Sequence, residues 1–361
     1  MAVTTDLAQR IATMPPPPER DFSSDNAAGA HPAVIDAIAA ANAGHAVAYG
    51  ADRWTEEVQA RFREMFGPTT EAFLVWNGTG ANVMALATMV RPADFVLSSE
   101  WAHIAVDETG APERALGAKI VPATAPDAKL HPDQIDALAR FRGDMHHAQP
   151  GVVSITQSTE LGTVYTPEEV AAICDSAHRL DMLVHMDGAR LANAAAALGG
   201  TLETIRSFTV EAGVDVLCFG GTKAGLVGGE AVVFLNPALA DRAKYVRKQV
   251  NQLPSKMRFV AAQFLALLDG DRWIDLAAHA NSMCRRLYEL TSDIPSVAHA
   301  GPPEVNSVFP SIPREAIEPL QDWTFFWDWD VDRSQVRWMT AWDTSNDDIE
   351  RFAAGVRHLL G

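Results

Sequence analysis

Three cysteines, Cys174, Cys218 and Cys284, are all that the 361 residues contain, and none stands in a CxxC spacing. That scarcity excludes a disulfide framework and a cysteine-rich zinc site, and it suits a reducing cytoplasm. Positive charge is short as well: 29 Lys and Arg stand against 46 Asp and Glu, a formal net charge of −17, with no long basic block. Phosphate-backbone binding needs a concentrated basic surface, so a nucleic-acid partner is set aside. No apolar run reaches the ~18 residues of a membrane span. The opening segment MAVTTDLAQRIATMPPPPERDF has no apolar core of signal-peptide length. The expectation is a cytoplasmic protein, neither secreted nor embedded in a membrane.

Hydrophobic residues make up 48% of the chain, enough for a substantial core and more than one compact unit. Pro15 to Pro18 form a stiff stretch that is expected to set a short leader, residues 1–20, apart from the folded body. From Glu71 to Phe234, short apolar runs (AFLVW, FVLSS, KIVPA, GVVSI, MLVHM, VDVLCF) alternate with Ala-rich helical segments. This alternation predicts an α/β domain with a mostly parallel sheet over residues 21–248. Beyond it, a helical stretch, a Trp-rich segment and VRWMTAW predict a smaller α+β domain over 249–361.

In open parallel sheets, ligands collect where strands end and loops lead into helices. Asp187 in MLVHMDGAR and Lys223 in CFGGTKAG each follow such a strand, 36 residues apart (223 − 187), room for a helix and one more strand. A pyridoxal enzyme needs this pair: a lysine to bond the cofactor's aldehyde, and a carboxylate to keep its ring nitrogen protonated. Two opposite charges at strand ends also fit an ordinary ion pair. Asn77-Gly78-Thr79-Gly80 precedes an apolar helical stretch, so its amides lie at a helix N-terminus, where a phosphate binds and where a plain turn and cap also occur. His146-His147 lacks an evident set of further metal ligands.

Taken in order, SSDNAAGAHP from Ser23, GHAVAYGADRWTE from Gly44, WNGTGAN from Trp76 and HIAVDETGA from His103 resemble the L-threonine aldolases. These belong to the fold-type-I, aspartate-aminotransferase-like pyridoxal enzymes. The likeness continues through VSITQSTELGTVYTP from Val153, HMDGARLANA from His185, FGGTKAGLVGGEAVVF from Phe219 and VRWMTAWD from Val336. The resemblance implies pyridoxal 5'-phosphate bonded to Lys223, with Asp187 at the ring nitrogen and His103 on the ring face. It further implies Gly78, Thr79, Thr222 and Arg258 toward the phosphate. Ser24, Arg190 and Arg337 would take the substrate carboxylate, for which bidentate guanidinium geometry is suited. Tyr49 would reach the site of a neighbouring subunit in a homodimer or homotetramer.

The implied reaction is reversible cleavage of L-threonine, L-allo-threonine or a related L-3-hydroxy-α-amino acid to glycine and an aldehyde. A β-eliminating lyase and a cofactor-binding homologue without turnover are the alternatives. Better-known aldolases carry a histidine in the loop that here reads Thr156-Gln157-Ser158-Thr159-Glu160. The departure suggests a distinct bacterial branch and leaves the base for the β-hydroxyl open among His103, His45, Glu160 and a water. Glu108 matches a family acid, but also fits an exposed helix glutamate.

Overall fold

In the computed structural model, which describes residues 2–361, the six apolar runs become β1 (Glu71–Val75), β2 (Asp94–Ser99), β3 (Lys119–Ala123), β4 (Gln149–Thr156), β5 (Leu183–Gly188) and β6 (Val216–Gly220). With β7 (Glu230–Phe234) they form one seven-stranded sheet in the order β1-β7-β6-β5-β4-β2-β3. The strands from β3 across to β6 run parallel, while β7 is antiparallel to both its neighbours. All five residues of β6 and of β7 are buried. Strands covered on both faces read as continuous apolar runs rather than alternating ones, which is why β6 stood out in the sequence.

The chain divides into two compact units: Gly29–Ile274, and the N-terminal residues through Ala28 together with Asp275–Gly361. In the larger unit, Met84, Leu86 and Met89 of the helix Gly78–Met89 share a core with Val96, Val152, Val216 and Phe234 of the sheet. A second apolar cluster joins Phe62 to Phe219 at 5.4 Å and Phe219 to Trp273 at 4.8 Å between ring centroids. The division falls after Ile274 rather than after Lys248, because the helix Arg258–Leu268 packs on the helices Pro32–Ala41 and Arg53–Phe66 of the larger unit.

The smaller unit has a three-stranded antiparallel sheet, β8 (Ser307–Val308), β10 (Gln335–Met339) and β9 (Trp327–Asp330), in the order β8-β10-β9. From Arg10 to Arg20 the chain is not a separate leader. Arg10 Nη1 donates to the Gly361 carbonyl at 2.6 Å, Trp323 Nε1 to the Pro15 carbonyl at 2.7 Å, and the Glu19 amide to Asp348 Oδ1 at 3.0 Å. Arg20 adds ion pairs to Asp343 and Asp348, so the chain is held at both ends of the polyproline stretch. Phe352 anchors this unit, with ring centroids 4.1 Å from Phe22 and 5.1 Å from Trp338. Phe352→Ala is expected to lower the unfolding free energy by about 3–5 kcal/mol, the usual cost of emptying an aromatic core position. Denaturant unfolding followed by tryptophan fluorescence measures it, and a loss below about 1 kcal/mol would show that the cluster repacks.

Candidate active site

Strand register decides where Asp187 stands. It lies opposite Thr156 of β4 on one side and Cys218 of β6 on the other, at the carboxyl edge of the sheet. Its side chain is buried, with Oδ1 accepting the Ala189 amide at 2.9 Å and Oδ2 accepting from Asn82 Nδ2 at 2.8 Å. Behind it His185 is fully buried, with Nδ1 2.9 Å from Ser154 Oγ and Nε2 3.2 Å from Cys218 Sγ. Burial lowers the His185 pKa to about 4, which keeps the ring neutral.

After β6 the chain enters a single 3-10 turn, Thr222–Ala224, that carries the half-buried Lys223. Gly225 closes it at φ 111°, a conformation glycine adopts without penalty. Gly221 is required on its other side, since a Cβ there would stand 2.5 Å from the Gly229 carbonyl oxygen.

A chain of polar contacts runs from Asp187 to His103. Asn82 Nδ2 donates to both Asp187 Oδ2 and Glu108 Oε1 at 2.8 Å, and Glu108 Oε1 is 2.9 Å from His103 Nδ1. Glu108 is buried rather than an exposed helix glutamate. Its hydrogen bond raises the His103 pKa above the ordinary histidine value, against the opposing effect of burial, with the Asp187 charge adding to the rise. Glu160 joins from the loop after β4, its Oε1 accepting the His103 amide and the Thr156 hydroxyl, each at 2.9 Å. Burial pushes the Glu160 carboxyl up to about 7, with the His103 amide pulling the other way. Among the described residues, Asn82 Oδ1, Glu108 Oε2 and Glu160 Oε2 are enclosed without a protein partner. Enclosed polar atoms normally find partners, and three such oxygens lie along this one network.

At the Asn77–Gly80 turn, Asn77 Oδ1 accepts the Gly80 amide at 2.8 Å and caps the helix Gly78–Met89. The space over Gly78 is open, whereas a Cβ on Gly80 would collide with the Gln252 amide. Gln252 Oε1 also accepts the Trp76 amide at 2.9 Å, which fixes this turn from the far side. Arg258 begins its helix and donates from Nη1 to the Gly44 carbonyl at 3.1 Å. Tyr49 is exposed, with φ 62°, its amide bonded to the Ser255 carbonyl at 2.9 Å and the Lys248 ammonium 5.2 Å from its ring centroid. His45 is exposed as well.

Arg190 is the N-terminal cap of the helix Leu191–Ala197, and its carbonyl accepts the Ser158 and Ala194 amides. Arg337 and Ser24 belong to the smaller unit. There Arg337 Nη2 donates to the Ser23 carbonyl at 2.9 Å, its guanidinium carbon lies 5.5 Å from the Trp329 ring centroid, and Ser24 Oγ accepts the Asn26 amide at 3.1 Å. The structure thus joins Asp187, His103, Glu108 and Glu160 in one network and puts Lys223 at the end of the strand next to that of Asp187. Asn82, the member that joins two of the carboxylates, escaped the sequence reading. Its signal was an amide side chain within the largely apolar helix GANVMALATM.

The model of the beta-eliminating lyase family matches residues 21–313. A low specificity L-threonine aldolase of Pseudomonas aeruginosa is 42% identical, over 95% of this chain and 98% of its own length. The structure of a threonine aldolase from Leishmania major superposes with a TM-score of 0.89 at 29% identity, covering 95% of this chain and all of that one. An N-succinyldiaminopimelate aminotransferase from Mycobacterium tuberculosis, 16% identical with a TM-score of 0.66 over 99% of this chain and 96% of its own, shares the fold.

Proposed function

This chain belongs to the beta-eliminating lyase family, and we propose that it is a pyridoxal-phosphate-dependent L-threonine aldolase. Its reaction is the reversible cleavage of L-threonine, L-allo-threonine and related L-3-hydroxy-α-amino acids to glycine and an aldehyde. The observation that carries the reading is Asp187, buried at the end of β5 and held by Asn82, with Lys223 following the next strand. The residues present fit the cofactor. A buried carboxylate aimed by two donors suits a pyridine nitrogen, open space lies over Gly78 at a helix N-terminus, and enclosed oxygens on Asn82, Glu108 and Glu160 await partners.

In this reading Lys223 would hold the cofactor through its aldehyde, Asp187 would keep its ring nitrogen protonated, and His103 would contact its ring. Gly78, Thr79, Thr222 and Arg258 take the phosphate. The bound cofactor supplies an electron sink for the pair released when the Cα–Cβ bond breaks. Arg190 is assigned to the substrate carboxylate, and the likeness of SSDNAAGAHP and VRWMTAWD to the aldolases carries the same role for Ser24 and Arg337. Holding the carboxylate sets which bond at Cα faces the ring, and so which bond breaks. The proton of the β-hydroxyl needs an acceptor that is basic near neutral pH. His103 and Glu160 both meet that need, since the Glu160 carboxyl is held at about 7 and the His103 ring is supported by Glu108.

A cytoplasmic homodimer or homotetramer with Tyr49 serving the neighbouring site belongs to the same proposal. Free buried cysteines and exposed apolar side chains on the larger unit, Val47, Tyr49, Trp76 and Val227 among them, support it, and no helix among the described residues is long and apolar enough to cross a membrane. The deciding experiment supplies L-threonine and L-allo-threonine and identifies the products. Acetaldehyde and glycine in equal amounts are expected, with the D-isomers poor substrates. Stoichiometric ammonia and 2-oxobutyrate would instead make the chain a β-eliminating lyase, and a bound cofactor without any product would make it a homologue without turnover.

A further inference from the structure

Glu230 opens β7 in a position that the roles assigned above do not use. Its backbone pairs with Val75 at the end of β1 and with Gly220 at the end of β6. It therefore stands between the strand that leads to the Gly78 turn and the strand that leads to Lys223. The side chain is 7% exposed, and Oε2 accepts the Gly221 amide at 2.6 Å. The neighbouring hydroxyl and amide of Thr222 favour the charged form of this carboxyl. Thr222 Oγ1 in turn accepts the Gly229 amide at 3.2 Å, so the turn and the start of β7 are laced together around one carboxylate.

The surroundings leave the turn little freedom and bring a charge of opposite sign to bear on the carboxylate. Gly221 is pressed against the Gly229 carbonyl, and Val260 and Phe264 of the helix Arg258–Leu268 close over Gly229. From the same helix Gln263 Oε1 accepts the Val227 amide at 2.9 Å, and none of these three side chains is charged. Lys223 is the cation whose field reaches Glu230, and the Asp187 and Glu108 carboxylates act with Glu230 on the thiol of Cys218. A carboxylate buried this deeply is costly unless donors and a cation compensate it, and here the donors are the turn that carries the lysine.

We propose that Glu230 is the positioning residue of Lys223: it clamps the Gly221–Lys223 turn through its donors and favours the protonated state of the lysine nitrogen through its charge. Burial pushes the Glu230 carboxyl up to about 7, against the pull of Thr222, of the Gly221 amide and of Lys223. Its negative charge is therefore complete above that pH and fades as pH falls through it. The inference rests on Lys223 bonding the cofactor, and its test separates the two ideas.

Wild-type protein, Glu230→Gln and Glu230→Asp are each loaded with pyridoxal phosphate, and the visible absorption band of the lysine-bound cofactor is titrated with pH beside a thermal unfolding curve. Loss of the carboxylate in Glu230→Gln should lower the midpoint of the band by about one pH unit. Glu230→Asp keeps the charge but draws it back, so its midpoint should fall between the two. If Glu230→Gln does not fold, a lowered midpoint in Glu230→Asp supports the proposal and an unmoved one defeats it. Midpoints equal to that of wild type in every folded variant, whatever happens to the melting temperature, would make Glu230 a structural residue only. A wild-type protein with no visible band would overturn the cofactor reading itself.

Discussion

Lys223→Ala is expected to give a folded protein that neither shows the visible band of a lysine-bound cofactor nor turns over L-threonine. The fold should survive because the shape of the turn is set mainly by other residues. Gly221 and Gly225 set its shape, Glu230 holds it, and Lys223 is half-buried rather than part of the core. What disappears is the amine placed to bond the aldehyde, so the loss falls chiefly on chemistry, with a smaller cost in stability because Glu230 loses a compensating cation. A drop of roughly 10⁴-fold or more in kcat corresponds to about 5–6 kcal/mol of lost transition-state stabilisation. Lys223→Arg sharpens the test, because it keeps the positive charge beside Glu230 but cannot form the bond, and it should be as inactive as the alanine variant. Borohydride reduction of the wild-type protein followed by peptide mapping should find the cofactor on Lys223. Its appearance on Lys244, Lys248 or Lys256 instead would overturn the assignment.

What could be read from the sequence follows from what burial does to composition. Strands covered on both faces carry unbroken apolar runs, so β2, β4, β5 and β6 announced themselves, and the polar residues that end such runs marked Asp187 and Lys223. Contacts made across the chain leave no such trace. Asn82 meets Glu108 from 26 residues away and Asp187 from 105, and nothing local in GANVMALATM says which carboxylates its amide will face. Glu108 and an exposed helix glutamate look alike in sequence, and only the fold buries one of them. The stretch through Pro18 reads as a stiff spacer because proline constrains the backbone whether or not the chain is docked. Its bonds to Trp323, Asp348 and Gly361 lie some three hundred residues away along the sequence. Glu230 was hidden for another reason, since a single acidic residue after two glycines resembles a turn.

Asp187→Ala is expected to keep the visible band, since Lys223 is untouched, and to lose roughly 10³-fold or more in kcat, about 4 kcal/mol. The carboxylate is aimed on both oxygens, by the Ala189 amide at 2.9 Å and by Asn82 Nδ2 at 2.8 Å, and it is shielded from water. Such a group is placed to hold a proton on a ring nitrogen, and that proton is what lets the ring accept the electron pair of the breaking bond. Alanine leaves the nitrogen without its partner and also strips Asn82 of one acceptor, so part of the effect could come from a disordered network. Asp187→Asn separates the two causes. It preserves shape, and its carbonyl oxygen can still take the Ala189 amide, but its NH2 group would face the Asn82 amide and cannot stabilise a protonated nitrogen. If charge is the cause, Asp187→Asn should be nearly as slow as Asp187→Ala while its melting temperature stays close to wild type. Near-normal turnover in either variant, with the cofactor still bound to Lys223, would show that the ring nitrogen is served by another residue and that the buried network at β5 supports structure alone.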